Sequence, residues 1–94
     1  MRVVGTDILD AFCQAHPDCR KWIALWLDDA RAATWRSSHD IKARYASASF
    51  LASNFVIFNV RGNVYRLEVQ VAYGVGMVGV KWIGTHADYS KRRK

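Results

Sequence analysis

Residues Val64–Tyr73 read VYRLEVQVAY. Apolar and polar side chains alternate along this stretch, which is the two-residue period of a β-strand with one dry and one wet face. Tyr65, Leu67, Val69 and Val71 share one face, and Arg66, Glu68 and Gln70 share the other. The segment therefore predicts an antiparallel sheet buried on a single face. What covers that face has to come from elsewhere in the chain.

Upstream, residues 55–60 (FVIFNV) form a continuous apolar run. Gly62-Asn63 then predicts a two-residue hairpin turn with glycine first. Downstream, Gly74 and Gly76 predict a second turn into MVGVKWIG (77–84), a third strand with Lys81 in its middle. The GxGxxG-like spacing of YGVGMVG (73–79) is explained by that turn, because no helix follows it to seat a phosphate.

The cover lies in the first third. Thr6 predicts a helix cap, with Asp7 and Asp10 near the positive end of the dipole. Ile8, Leu9, Phe12 and Cys13 make one apolar stripe. Pro17 suits the first position of a second helix. Trp22, Ile23, Trp26, Leu27, Ala30 and Ala33 then recur at helical spacing. Helices over 6–15 and 17–34 form a hairpin whose tryptophans are core residues. MRVV adds a short β-prone start. Residues 34–54, rich in Ser and Ala, predict a long loop with a helical turn near Asp40–Tyr45, and long loops in small domains are often functional. The expected architecture is one α+β domain over residues 1–94, ordered β-α-α-β-β-β, with the helix hairpin packed on a small antiparallel sheet.

The 94 residues carry a formal charge of +6 and four each of Trp, Tyr and Phe. That balance suits a polyanion such as nucleic acid, or an acidic protein surface. No signal-peptide pattern follows Met1 and no run approaches the ~18 apolar residues of a membrane span, so a cytoplasmic protein is expected. Cys13 and Cys19 flank His16, but Pro17 breaks the segment and no fourth ligand stands nearby. Two packed thiols, with no metal, are expected. The β half has no acidic cluster to hold Mg²⁺. A nuclease built from these parts would need no metal or other cofactor, and would use the RNA 2′-hydroxyl as nucleophile.

The polar face of the strands offers the chemistry. Arg66 and Lys81, on neighbouring strands, would form a phosphate clamp that stabilises developing charge. The plainer alternative pairs Arg66 with Glu68 two residues on. His86 follows the third strand, and an imidazole is the side chain most often used to give or take a proton in catalysis. Tyr89 shares its face if HADYS forms a helical turn; its plainer use is to pack that turn on the sheet.

FNVRGNVYRLEV and VKWIGTHADY resemble the signature of HigB-type toxins, the HigB branch of the RelE superfamily. HPDCRKWIALWLDDARAATWRSSHDIKARYASASF resembles that family's helical half. The resemblance spans nearly the whole chain. It is most specific in Gly62-Asn63-x-Tyr65-Arg66-Leu67 and Thr85-His86-Ala87-x-Tyr89. It implies a RelE-like microbial ribonuclease fold and ribosome-dependent, metal-free cleavage of mRNA in the bacterial cytoplasm. It also implies a HigA-type antitoxin with a helix-turn-helix domain, through which alone the toxin would reach operator DNA. Carried over, the catalytic set is Arg66, Lys81, His86 and Tyr89. Lys42, Arg44, Arg61 and the basic tail Lys91, Arg92, Arg93 and Lys94 would contact RNA or ribosomal phosphates. Asp88 stands where the family usually has glutamate, and Ser90 where an acid often follows. Two other readings stay open: a ParE-type toxin that poisons gyrase without cutting RNA, and an RNA-binding module without catalysis.

Overall fold

The computed structural model describes residues 1–92. In chain order the elements are β1 (Arg2–Val4), α1 (Thr6–Ala15), α2 (Arg20–Ala32), α3 (Ser38–Arg44), β2 (Ser49–Phe50), β3 (Phe55–Val60), β4 (Tyr65–Ala72), β5 (Met77–Thr85) and α4 (His86–Arg92). The fold is α+β, as expected of a RelE-like chain, and the strands lie side by side as β1-β5-β4-β3-β2.

The central strands β3, β4 and β5 are antiparallel, but β1 joins β5 in parallel, with Val3 opposite Val78. The sheet is thus mixed and not purely antiparallel. The three-residue β1 takes up backbone groups that β5 would otherwise leave at an open edge.

The alternation along β4 has the predicted consequence. Tyr65, Leu67, Val69 and Val71 are buried in the core with Leu9, Ile23, Trp26 and Ile41 from the helices. Trp26 is 1% exposed and meets Phe58 edge-on, with ring centroids 5.4 Å apart. Burying a side chain of this kind contributes roughly 1.5–3 kcal/mol or more. Trp22 is only half-buried and leans on Tyr45.

Local details depart from the sequence reading. Gly5, not Thr6, precedes the first turn of α1, at a left-handed φ of 83°. A Cβ there would stand 2.8 Å from the Val80 carbonyl oxygen, so the close crossing of α1 over β5 selects glycine. Pro17 opens a separate 3₁₀ turn (Pro17–Cys19), and α2 begins at Arg20. The helical turn expected near Asp40 is a full α3, and Asp40 accepts the Arg36 backbone N–H at 2.9 Å. The β3–β4 connection is four residues, because Val60 pairs with Tyr65; Arg61 and Gly62 both take left-handed φ. Cys13 and Cys19 are buried with their sulfurs 3.3 Å apart. Burial, reinforced by the neighbouring Cys13 thiol, pushes the Cys19 thiol up to about 12.

THADYS forms α4. Thr85 Oγ1 accepts the Asp88 backbone N–H at 3.1 Å, the contact of an N-cap. Seven residues are too few for a helix to stand alone in water. Contacts with the sheet must therefore hold α4 in place. No helix among the described residues is long and apolar enough to cross a membrane.

Candidate active site

The helices cover one face of the sheet, and α4 lies across part of the other. On that outer face Arg66 stands opposite Gly84, Glu68 opposite Trp82, and Gln70 opposite Gly79. Strand pleating sets this row, since alternate side chains of β4 point away from the core.

Arg66 is the centre of the arrangement. Its Nη2 lies 2.9 Å from His86 Nε2. Arginine carries donors only, so Nη2 donates, Nε2 accepts, and the His86 proton sits on Nδ1. The guanidinium also lies over the Tyr89 ring, 4.8 Å from its centroid. His86 and Tyr89 reach the same guanidinium because they occupy positions i and i+3 of α4. The Arg66 Nε is shielded from solvent and has no partner among the described residues. The donors left for a ligand are therefore those on the Nη atoms.

A second layer supports this trio. The Trp82 and Tyr89 rings are 6.0 Å apart. The Arg92 guanidinium lies 4.7 Å from the Trp82 ring, and Arg92 Nη1 donates to Glu68 Oε1 at 3.0 Å. Glu68 is 4% exposed. A carboxylate this buried needs a paired cation, which fixes the last turn of α4 to the sheet. Two neighbouring aromatic rings, Trp82 and Tyr89, thus lie between the guanidiniums of Arg92 and Arg66. Trp82 can lie flat on β5 only because residue 84 is glycine: a Cβ there would come within 2.5 Å of the indole.

Of the residues singled out by sequence, the structure brings together Arg66, His86 and Tyr89. Glu68, offered above as a partner of Arg66, binds Arg92. Lys81 shares the outer face but not the trio's neighbourhood. Register shifts between Glu68 and Val69, leaving Lys81 as the extra residue of a β-bulge between Trp82 and Val80. It sits three residues from Gly84, or roughly 10 Å along the strand from the level of Arg66.

The remaining cations are dispersed. Arg44 pairs with Asp29 at 2.7 Å and Arg61, in the β3–β4 connection, with Asp18 at 2.6 Å, so both are held by acids of the helical segments. Lys42 donates to the Ala48 carbonyl at 3.0 Å. Lys91 and Arg92 belong to α4, and Arg93 and Lys94 lie outside the described residues. Sequence reasoning missed Trp82 and the Glu68–Arg92 pair. The Trp-x-Gly spacing at 82–84 was the available signal, because two residues along a strand share a face.

The outer face also holds two neighbouring clefts. One, of about 260 Å³, lies between Leu51, Phe55, Glu68 and Arg92. The other, of about 420 Å³, lies beyond it around Gln70, Gly79 and Lys81. No group of three or more metal-ligating side chains occurs among the described residues. The trio can bind an anion and move a proton: a guanidinium supplies charge and paired donors, and an imidazole accepts at Nε2.

Comparison with known proteins gives one family. The model of the HigB toxin family, described as the RelE-like toxic component of a toxin–antitoxin system, matches residues 19–92. No curated protein matches the chain.

Proposed function

We propose that this chain, which belongs to the HigB family of RelE-like toxins of toxin–antitoxin systems, is a ribosome-dependent endoribonuclease that cleaves mRNA. The family implies an antitoxin partner; we assign that role to a HigA-type protein with a helix-turn-helix domain. The observation that carries the nuclease reading is the bracketing of Arg66 between His86 Nε2 at 2.9 Å and the Tyr89 ring at 4.8 Å. That set suits attack by a ribose 2′-hydroxyl on its own phosphodiester.

In the free protein Arg66 occupies the Nε2 lone pair. An incoming phosphate competes for the guanidinium, which turns its donors to the phosphate oxygens and releases Nε2. His86 then takes the 2′-hydroxyl proton as the 2′-oxygen–phosphorus bond forms. Arg66 stabilises the charge that builds on the phosphoryl oxygens. The phosphorus–5′-oxygen bond breaks, and Tyr89, packed on the nucleotide, offers its hydroxyl proton to the departing oxygen. The products are a 2′,3′-cyclic phosphate and a 5′-hydroxyl. Lys81 and Lys91 hold flanking phosphates, and the ribosome supplies the positioning that a shallow site lacks.

Induced expression with mapping of mRNA ends tests this reading. Wild type should arrest growth and cut mRNA at codon-registered positions, and Arg66→Ala and His86→Ala should do neither. Arrest with intact mRNA and a DNA-damage response would replace the nuclease with a gyrase poison. Tight RNA binding without arrest would replace it with a passive binding module.

A further inference from the structure

We propose that the outer face carries a nucleotide-reading subsite beside the Arg66–His86–Tyr89 centre, formed by Gln70, Lys81, Asn54 and the bare floor at Gly79. It rests on the endoribonuclease reading and extends it. The ligand is an unpaired ribonucleotide neighbouring the one that is cut.

The cleft of about 420 Å³ opens between β1, β4, β5 and the turn Ala52–Asn54. Its size falls within the roughly 300–1,000 Å³ of small-molecule sites. Gly79 forms the floor, opposite Gln70 in the β4–β5 register. A Cβ at Gly79 would lie 3.7 Å from Lys81 Cε and 3.8 Å from the Gln70 carbonyl oxygen, which are ordinary contacts. Packing does not forbid a side chain there; its absence keeps the floor open.

The walls of the cleft suit a base. Gln70 Nε2 donates to the Ser53 carbonyl at 3.1 Å. A carbonyl only accepts, so the amide is locked with its NH₂ toward Ser53. That leaves Oε1 and the second N–H as an oriented acceptor–donor pair, the pattern that reads a base edge. Ser53 and Asn54 hold this geometry at left-handed φ of 60° and 62°. Residues other than glycine adopt such φ at a cost, and they do so preferentially at functional sites. Asn54 stands at the rim with a second amide.

Lys81 supplies the charge. The bulge re-aims it onto this face, and it makes no hydrogen bond or ion pair among the described residues. One cation beside neutral amides fits one phosphate and one base. A polyacidic peptide would call for several cations and would leave the Gln70 acceptor unused. Gln70 is four residues from Arg66 along β4, or about 13 Å. The cleft is therefore too far away for the scissile phosphate and well placed for an adjoining nucleotide.

The test is a titration of the purified full chain, ¹⁵N-labelled, with ApA, CpC, GpG and UpU in parallel. The Gly79 amide and the Gln70 side-chain amide should shift, with one base preferred. Gln70→Ala should reduce that preference by about tenfold. Gly79→Ala, which fits without a clash, should weaken all four ligands. Lys81→Ala should weaken all four and flatten their salt dependence. In cells, Gln70→Ala should change the base found beside the mapped cuts. Signals of Gly79 and Gln70 that no dinucleotide moves would overturn the subsite, whether or not the protein cuts mRNA. A hexa-aspartate peptide that moves them more strongly than the dinucleotides would overturn it in favour of an acidic peptide. Shifts at both residues in a wild type that cuts no mRNA would keep the subsite and remove the nuclease reading.

Discussion

The two faces of β4 are made by alternate residues of one eight-residue strand, and they have opposite tasks. On the inner face Leu67 and Val69 are fully buried as members of the hydrophobic core cluster. On the outer face Arg66, Glu68 and Gln70 each hold a polar partner outside the strand: His86 and Arg92 on α4, and Ser53 in the turn before β3. The inner face is stabilised by area removed from water, which is indifferent to direction. The outer face depends on hydrogen bonds with fixed angles, which position groups more than they stabilise the fold. One strand thereby separates folding from chemistry at a distance of a single residue.

The largest expected break in that division is loss of cutting without loss of fold. Arg66→Ala and His86→Ala should each reduce mRNA cleavage by roughly 10²–10⁴-fold, as loss of a proton-transfer group or its activating partner does. Thermal unfolding should show their folds intact. The mirror case is Leu67→Ala, which should cost about 2–5 kcal/mol by urea denaturation, with any loss of cutting explained by the unfolded fraction. A variant of Arg66 that unfolds as readily as Leu67→Ala would erase the distinction between the faces.

Glu68→Gln probes where the faces meet, since Glu68 is buried yet belongs to the outer row. Its partner Arg92 is 38% exposed, so solvent screens part of the pair. The expected stability loss is about 1 kcal/mol. Cutting should fall further than stability does, because α4 carries both His86 and Tyr89.

The inner face has its own polar exception in Tyr65, whose hydroxyl donates to both Asp18 oxygens at 2.8 and 3.0 Å. This bond, followed by the charge of Arg61, holds the Asp18 carboxyl below its usual range. A lowered folded-state pKa stabilises the fold above the ordinary aspartate value of about 4, and the benefit is lost as pH falls through the lowered pKa. Urea midpoints of wild type should therefore drop on acidification below about pH 4, and Tyr65→Phe should drop less. The smallest effect is expected from Arg44→Ala. Its exposed pair with Asp29 should contribute no more than about 0.5 kcal/mol, and less at high salt.

Much of this was legible in residue order. The period-two run of 64–73 assigns its own inner and outer residues, and the apolar stripe of 6–15 marks α1 to the residue. THADYS carries a cap and a helical spacing, so the shared face of His86 and Tyr89 could be read before any fold was known. The separation of Lys81 from Arg66 could not, because the bulge at Glu68/Val69 is a property of how two strands pair. The Glu68–Arg92 pair spans 24 residues of sequence, and no local period connects its members. The parallel docking of β1 beside β5 joins the chain's first residues to its last strand, which short-range patterns do not encode.

What the sequence by itself determined is therefore the set of faces: which residues are dry, which are wet, and which chemical types stand on the wet side. Hydrophobic periodicity acts over a few residues, so it can be read there. Tertiary structure alone decided the partnerships on that wet side. The cross-strand register set Arg66 against His86 and moved Lys81 toward Gln70. The buried Glu68 carboxylate, which must have a cation, drew Arg92 and the end of α4 down onto the sheet.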